Sequence, residues 1–213
     1  MFTFRRTLVD EYLNRHKKAM TGHVLDIGGK RKNIRGTFFP PKHSNVRWEC
    51  LNIDKATQPD YCCPASNIPL EDNSLDCLLL CEVLEHVDNP EEVLRECHRI
   101  LKPSGQGFIT MPFLYRIHAD PYDYQRWTKT KLNNVLTSCG FDADIEALGG
   151  LWAVVFDLFF GHIENAASFG RLKKGFCIKV LKLVRPLFAL LEGRNATSSE
   201  GITTGWAIRA RKF

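Results

Sequence analysis

The stretch Leu75–Leu80, apolar except at Asp76, constrains this chain more than any other feature of its sequence. A near-continuous apolar run of strand length is what a parallel β-strand covered on both faces requires, because a strand with one wet face alternates instead. Short strand-like and helix-like segments alternate around it. Val24-Leu25-Asp26-Ile27 reads as a strand ended by Gly28-Gly29, and Trp48–Ile53 as a second, ended by Asp54. Asn89-Pro90-Glu91-Glu92 opens a helix, with Asn89 as N-cap, Pro90 in the first turn and two acids at the positive helix end. That helix runs to about Leu101 and is broken by Pro103-Ser104-Gly105. Gln106–Met111 reads as the next strand, and Thr128–Ser138 as the next helix, capped by Thr128. Asp142–Leu148 and Trp206–Ala210 alternate like strands. Strands interleaved with helices imply right-handed βαβ units and a parallel α/β sheet, whose ligands sit at the carboxyl ends of the strands.

The 213 residues form a single domain: an N-terminal helix within 1–20, a core over 22–150, a helical insert over 151–200 and a last strand over 201–213. Charge is unevenly placed. Residues 170–213 carry ten Lys/Arg and two Asp/Glu, a net of +8, whereas residues 1–169 carry nineteen and twenty-two, a net of −3. Nucleic acid, a membrane surface or an anionic substrate each accounts for such a basic quarter.

The eight cysteines form no Cys-x-x-Cys and no zinc-ribbon pattern, which favours reduced, mostly buried thiols over a disulfide framework or a metal. The first twenty residues carry charges throughout and lack the apolar core of a signal peptide. No apolar stretch reaches the roughly 20 residues that span a bilayer. The expected location is cytoplasmic, with peripheral contact at the inner membrane face as the alternative.

Asp26-Ile27-Gly28-Gly29-Lys30 lacks the Gly-x-Gly-x-x-Gly pattern of a pyrophosphate cradle, but its small residues let a ligand approach the backbone. Asp54 is placed to accept hydrogen bonds from ribose hydroxyls. VLDIGG, then LNID, then IPLEDNSLDCLLLCEVLEHVDNPEEVLRECHRILKPSGQGFITMPF resembles the class I S-adenosylmethionine-dependent methyltransferases of the type 11 group, over about residues 22–113. The resemblance implies a Rossmann-like fold with helices on both faces of a mostly parallel twisted sheet and an antiparallel last strand. It implies S-adenosyl-L-methionine as cofactor, with Asp26, Gly28 and Gly29 at the methionine end and Asp54 on the ribose. Ala65 would lie beside the adenine, and Cys81 and Glu82 would close the site. Lys30 departs from the family's usual glycine, and Pro64 from its frequent Asp.

Methyl transfer to a hydroxyl needs a general base. Glu82 and His86 are four residues apart and share a face if helical, so a carboxylate would orient His86. The run His118-Ala119-Asp120-Pro121-Tyr122-Asp123-Tyr124-Gln125-Arg126-Trp127-Thr128 brings polar and aromatic groups together after a strand. It resembles a run found in a bacterial subgroup linked to surface-glycan or secondary-metabolite assembly. Asp120, Tyr122, Asp123, Tyr124, Arg126 and Trp127 are read as acceptor contacts, and His118, ahead of His86, as the base. The competing reading is a rigid loop in which Arg126 pairs with Asp123 and Thr128 caps the next helix. No metal is assigned. The expected reaction is O-methylation of a small-molecule hydroxyl such as a sugar or glycan intermediate. A quinone- or lipid-type acceptor at a membrane, or a cofactor-binding module without catalysis, is the alternative.

Residues 171–191 read as a basic amphipathic helix with Lys179, Lys182 and Arg185 on one side and Phe176, Val180, Leu183, Val184, Leu187 and Leu191 on the other. It is a lid, a membrane-surface helix or a homodimer surface. Nucleic acid is disfavoured, since the cations border an apolar stripe rather than a row of stacking rings.

Overall fold

The computed structural model describes residues 3–30, 36–118, 121–166, 170–193 and 201–213. Six strands form one sheet: β1 (Gly22–Ile27), β2 (Val46–Leu51), β3 (Leu75–Cys81), β4 (Leu101–Pro112), β5 (Phe141–Leu148) and β6 (Gly205–Lys212). Their spatial order is β2-β1-β3-β4-β6-β5. The first four pair in parallel, and β6 runs antiparallel between β4 and β5. The chain leaves β1 on one side to form β2 and returns on the other side to form β3. That reversal opens a crevice at the carboxyl ends of the strands.

Among the described residues five α-helices accompany the sheet: α1 (Phe4–His16), α2 (Pro90–Ile100), α3 (Lys129–Ser138), α4 (Leu151–Asn165) and α5 (Arg171–Glu192). Alternation along β3 sends Leu78 and Leu80 to the face covered by Val93, Leu94 and Cys97 of α2 and Leu132 and Leu136 of α3. Cys77, Leu79 and Cys81 go to the other face, against Val9, Tyr12 and Leu13 of α1. Both faces are dry, as the apolar run of β3 demands. A third cluster joins Phe4 of α1 to Phe156 and Phe160 of α4, with Ile178, Leu181 and Phe188 of α5 packed against it.

Several boundaries differ from the sequence reading. The second strand ends at Leu51, leaving Ile53 exposed. The helix of residues 90–100 ends before Pro103, and Lys102–Gly105 bulges from β4, where Ser104 takes a φ of +64°. All eight cysteines are free thiols, five of them buried. Arg185 lies not beside Lys179 and Lys182 but inward, 4.5 Å from the Phe4 ring, donating to Thr7 Oγ1 at 2.8 Å.

Candidate active site

A cleft of about 350 Å³ opens at the topological switch, and its walls include Ile27, Gly28, Asp54, Ala65, Glu82 and His86. Gly28 has a φ of +75°, a backbone conformation that disfavours any side chain. A Cβ at Gly29 would sit 2.6 Å from the Asp26 carboxyl carbon, so only glycine fits there. Asn52 donates from Nδ2 to the carbonyls of Gly28 (3.2 Å) and Gly29 (3.0 Å), fixing the loop. Asp54 accepts from Ala56 N–H at 2.9 Å and caps a single 3-10 turn over Lys55–Thr57.

Not every expected contact reaches the cleft. Asp26 is buried beneath Gly29. Cys81 points to the α1 face, where its Sγ is 3.8 Å from the Phe108 carbonyl oxygen. Asp26, Gly29 and Cys81 therefore shape the loop and strand end from behind, while Gly28, Asp54, Ala65 and Glu82 line the space itself.

Glu82 follows β3 at a φ of +55°. Arg5 of α1 clamps it from across the chain, with Nε donating to Oε2 at 3.2 Å and Nη2 to Oε1 at 2.5 Å. Thr110 of β4 donates to Oε1 at 2.8 Å. Burial alone would raise the Glu82 carboxyl; the guanidinium and the two donors more than reverse this and hold it ionised. Arg5 is itself seated by Asp157 of α4, whose oxygens accept the backbone N–H groups of Phe4 and Arg5, each at 2.7 Å.

Residues 82–86 do not form the helix that would align Glu82 with His86; only Leu84–His86 makes a 3-10 turn. The carboxylate beside His86 is Glu85. It is fully buried, and neither oxygen has a hydrogen-bond partner. Its Oε1 lies 3.6 Å from His86 Nε2 and 3.8 Å from His118 Nε2. Burial, reinforced by the neighbouring Glu82 charge, pushes the Glu85 carboxyl well above the carboxylate range, so it carries a proton.

The two imidazoles stand edge to face with centroids 5.0 Å apart. His86 Nδ1 lies 2.6 Å from the Tyr122 carbonyl oxygen and His118 Nδ1 3.2 Å from that of Arg116. A carbonyl only accepts, so each Nδ1 carries a proton, and both Nε2 atoms face the Glu85 side. Burial lowers the His118 pKa below the ordinary histidine value, which keeps the ring neutral. Glu85, His86 and His118 each offer an atom within 4.8 Å of the others, a spacing at which one divalent ion would fit.

Residues 122–128 are tied down by hydrogen bonds and an ion pair. Tyr124 N–H donates to the Glu85 carbonyl at 2.8 Å, and Gln125 Nε2 donates to those of Leu84 and Val87, both at 3.0 Å. Arg126 makes a two-pronged ion pair with Asp123, which brings the Asp123 carboxyl down to about 2. Thr128 caps α3. Trp127 is buried in the core, and its carbonyl accepts from Trp206 Nε1 at 2.9 Å, so it offers no face to an acceptor. Tyr122 and Tyr124 are exposed, with centroids 5.6 Å apart. Asp120 lies outside the described residues. The sequence gives no local sign of Arg5 or Thr110 as site residues, since α1 and β4 bring them in from far along the chain; Glu85 stands next to His86 but outside the Glu82/His86 spacing.

Sheet order, switch-point cleft and glycine loop define a class I methyltransferase fold. Residues 43–109 match the family described as a methyltransferase domain. The chain is 31% identical over 83 residues to the mitochondrial 2-methoxy-6-polyprenyl-1,4-benzoquinol methylase of Caenorhabditis elegans. That match covers 39% of this chain and 24% of the relative, so the chain spans about a quarter of that enzyme's length. Among solved structures, a SAM-dependent methyltransferase from Archaeoglobus fulgidus superposes with a TM-score of 0.59 at 20% identity, covering 98% of this chain and 96% of that one. The [4+2]-cyclase SpnF shares the fold at a TM-score of 0.56 and 17% identity, over 97% and 80% of the two chains.

Proposed function

We propose that this protein methylates a hydroxyl of a small molecule, a sugar or glycan intermediate, using S-adenosyl-L-methionine. The fold alone does not carry this, since a cyclase shares it. The observation that does is His118, a neutral imidazole with Nδ1 tied to a carbonyl and Nε2 left as a base.

The cofactor's family site fits the residues present: the glycine pair admits close backbone approach, Asp54 stands where ribose hydroxyls need an acceptor, and Ala65 leaves room for the adenine. When bound, S-adenosylmethionine supplies a methyl group on a positively charged sulfur. The ionised Glu82 adds negative charge to that wall of the cleft. His118 Nε2 takes the acceptor's hydroxyl proton, a contribution of about 10²–10⁴-fold in systems of this kind. His86, held by Tyr122, shares the position. Tyr122 and Tyr124 offer ring faces to the C–H groups of a sugar, and the Asp123–Arg126 pair holds the loop that carries them. The reading involves no nucleic acid and no metal, and it places the protein in the cytoplasm. Among the described residues no helix is long and apolar enough to cross a membrane.

A second reading, a quinol-type phenolic acceptor, draws support from the relative that acts on a polyprenyl benzoquinol and from the exposed apolar face of α5. Incubation with labelled S-adenosylmethionine and two acceptor panels, sugar nucleotides and polyprenylated quinols, separates them. Label transferred to the first panel supports the sugar reading; label on the quinols alone replaces it.

A further inference from the structure

The helical insert does not cover the cleft as a lid: among the described residues, none from α4 or α5 lines it. It reaches the site another way. Asp157, in the middle of α4 and 1% exposed, accepts the backbone N–H groups of Phe4 and Arg5, each at 2.7 Å. The first turn of α1 contains no acid of its own, and Thr3 accepts the N–H groups of Arg6 and Thr7. Asp157 therefore supplies the two missing acceptors, and the negative charge that a helix N-terminus favours, from 152 residues along the chain. Arg5, held in this way, passes over Gly205 of β6, where a Cβ would collide with its guanidinium, and reaches Glu82.

Stability does not account for this strut. It draws charged side chains from three parts of the chain into a largely dry setting, and buried ion pairs are often no more stabilising than apolar packing of the same volume. Burial pushes the Asp157 carboxyl up to about 6, although the two N–H groups pull it the other way. Arg5 leaves Nη1 buried without a hydrogen-bond partner among the described residues. Glu82 adopts a left-handed φ of +55°, which side chains disfavour. Such costs gather where a site needs a group held in place. They converge here on Glu82, which keeps 21% of its side chain exposed against 3% for Arg5, and the space that it lines is the cleft.

We propose that Asp157 and Arg5 are positioning residues of the cofactor site: α4 fixes the first turn of α1, and that turn fixes Arg5 so that Glu82 meets the positively charged end of S-adenosylmethionine. The inference rests on the cofactor reading of the cleft. A helix end frays when its N–H groups lose their acceptors, so loss of Asp157 frees Arg5, and Glu82 loses the cation that holds its charge in place. By linkage the coupling runs both ways. A ligand that needs the charge at Glu82 must also hold the first turn of α1.

Calorimetry with two probes tests this: S-adenosylmethionine, which carries a sulfonium and an ammonium, and methylthioadenosine, which carries neither. Asp157→Ala should weaken binding of the first about tenfold, a common size of coupling between sites, and leave the second unchanged. Asp157→Asn, which keeps one acceptor oxygen, should fall between. In a Glu82→Gln background, Asp157→Ala should no longer change the affinity for S-adenosylmethionine. Circular dichroism verifies that each variant folds. Weakening of both compounds alike, or by the same factor in either background, overturns the proposal, as does wild-type affinity in folded Asp157→Ala. Hydrogen exchange of the wild-type chain adds a test that needs no variant. S-adenosylmethionine should slow exchange of the Phe4 and Arg5 amides, and exchange unchanged by bound S-adenosylmethionine overturns the coupling. Binding of neither compound to the wild-type chain is a separate failure, of the cofactor reading itself, and the inference falls with it.

Discussion

Arg5, the second residue of α1, reaches across the sheet edge to hold Glu82 with two hydrogen bonds, of 2.5 and 3.2 Å. The guanidinium is 3% exposed, so the N-terminal helix supplies the counter-charge that keeps a cleft carboxylate ionised. Removing it leaves a charge without its partner in a largely dry setting. Arg5→Met is expected to cost about 3 kcal/mol in urea unfolding, as buried pairs do when one member is lost. The double variant Arg5→Met/Glu82→Gln should recover part of that loss.

Glu85 stores instability at the site. Its folded pKa lies well above the unfolded value, so between the two the native state binds one proton more than the unfolded chain, and stability falls as pH rises through that interval. Glu85→Gln removes the ionisation and should raise the melting temperature at pH 7. The gain should shrink toward pH 4, where the unfolded carboxyl is also protonated. A pH-independent change in melting temperature would show that Glu85 is ionised in the folded protein.

His118 is expected to act as a free base down to a pH below the usual histidine value of about 6.5. The rate should therefore reach its plateau by neutrality and fall at lower pH as Nε2 gains a proton. His118→Ala should lower turnover at least about 10²-fold with cofactor affinity intact. Near-normal turnover in that variant would hand the role to His86.

The sequence made the frame readable because buried parallel strands carry their pattern in one run, as Leu75–Cys81 does. The cofactor loop was readable as well, since only glycine suits Gly28 and Gly29. What stayed hidden depends on faces and distance. Cys81 and Leu80 are neighbours pointing to opposite sides of the sheet, so proximity to the cleft did not put Cys81 in it. Trp127 looks like a sugar platform until α3 and β6 close over it. Arg5 and Glu82 are 77 residues apart. Both faces of α5 are apolar, and periodicity cannot tell which of them meets the protein; the inward turn of Arg185 decides it.

The proposed reaction uses no metal, and Glu85 stands protonated beside the two histidines. Dialysis against a chelator should leave turnover unchanged. A loss restored by a divalent cation would make Glu85, His86 and His118, whose donor atoms lie within 4.8 Å of one another, the ligands of a metal centre.

Calorimetric titration with S-adenosylmethionine and S-adenosylhomocysteine is the most direct test, because the proposed methyl transfer requires the cofactor to bind in the cleft lined by Gly28, Asp54 and Ala65. Saturable binding of both at one site per chain is expected, with Gly28→Val abolishing it and His118→Ala leaving it unchanged. No heat of binding for either compound at millimolar concentration, from a protein shown to be folded, would contradict it.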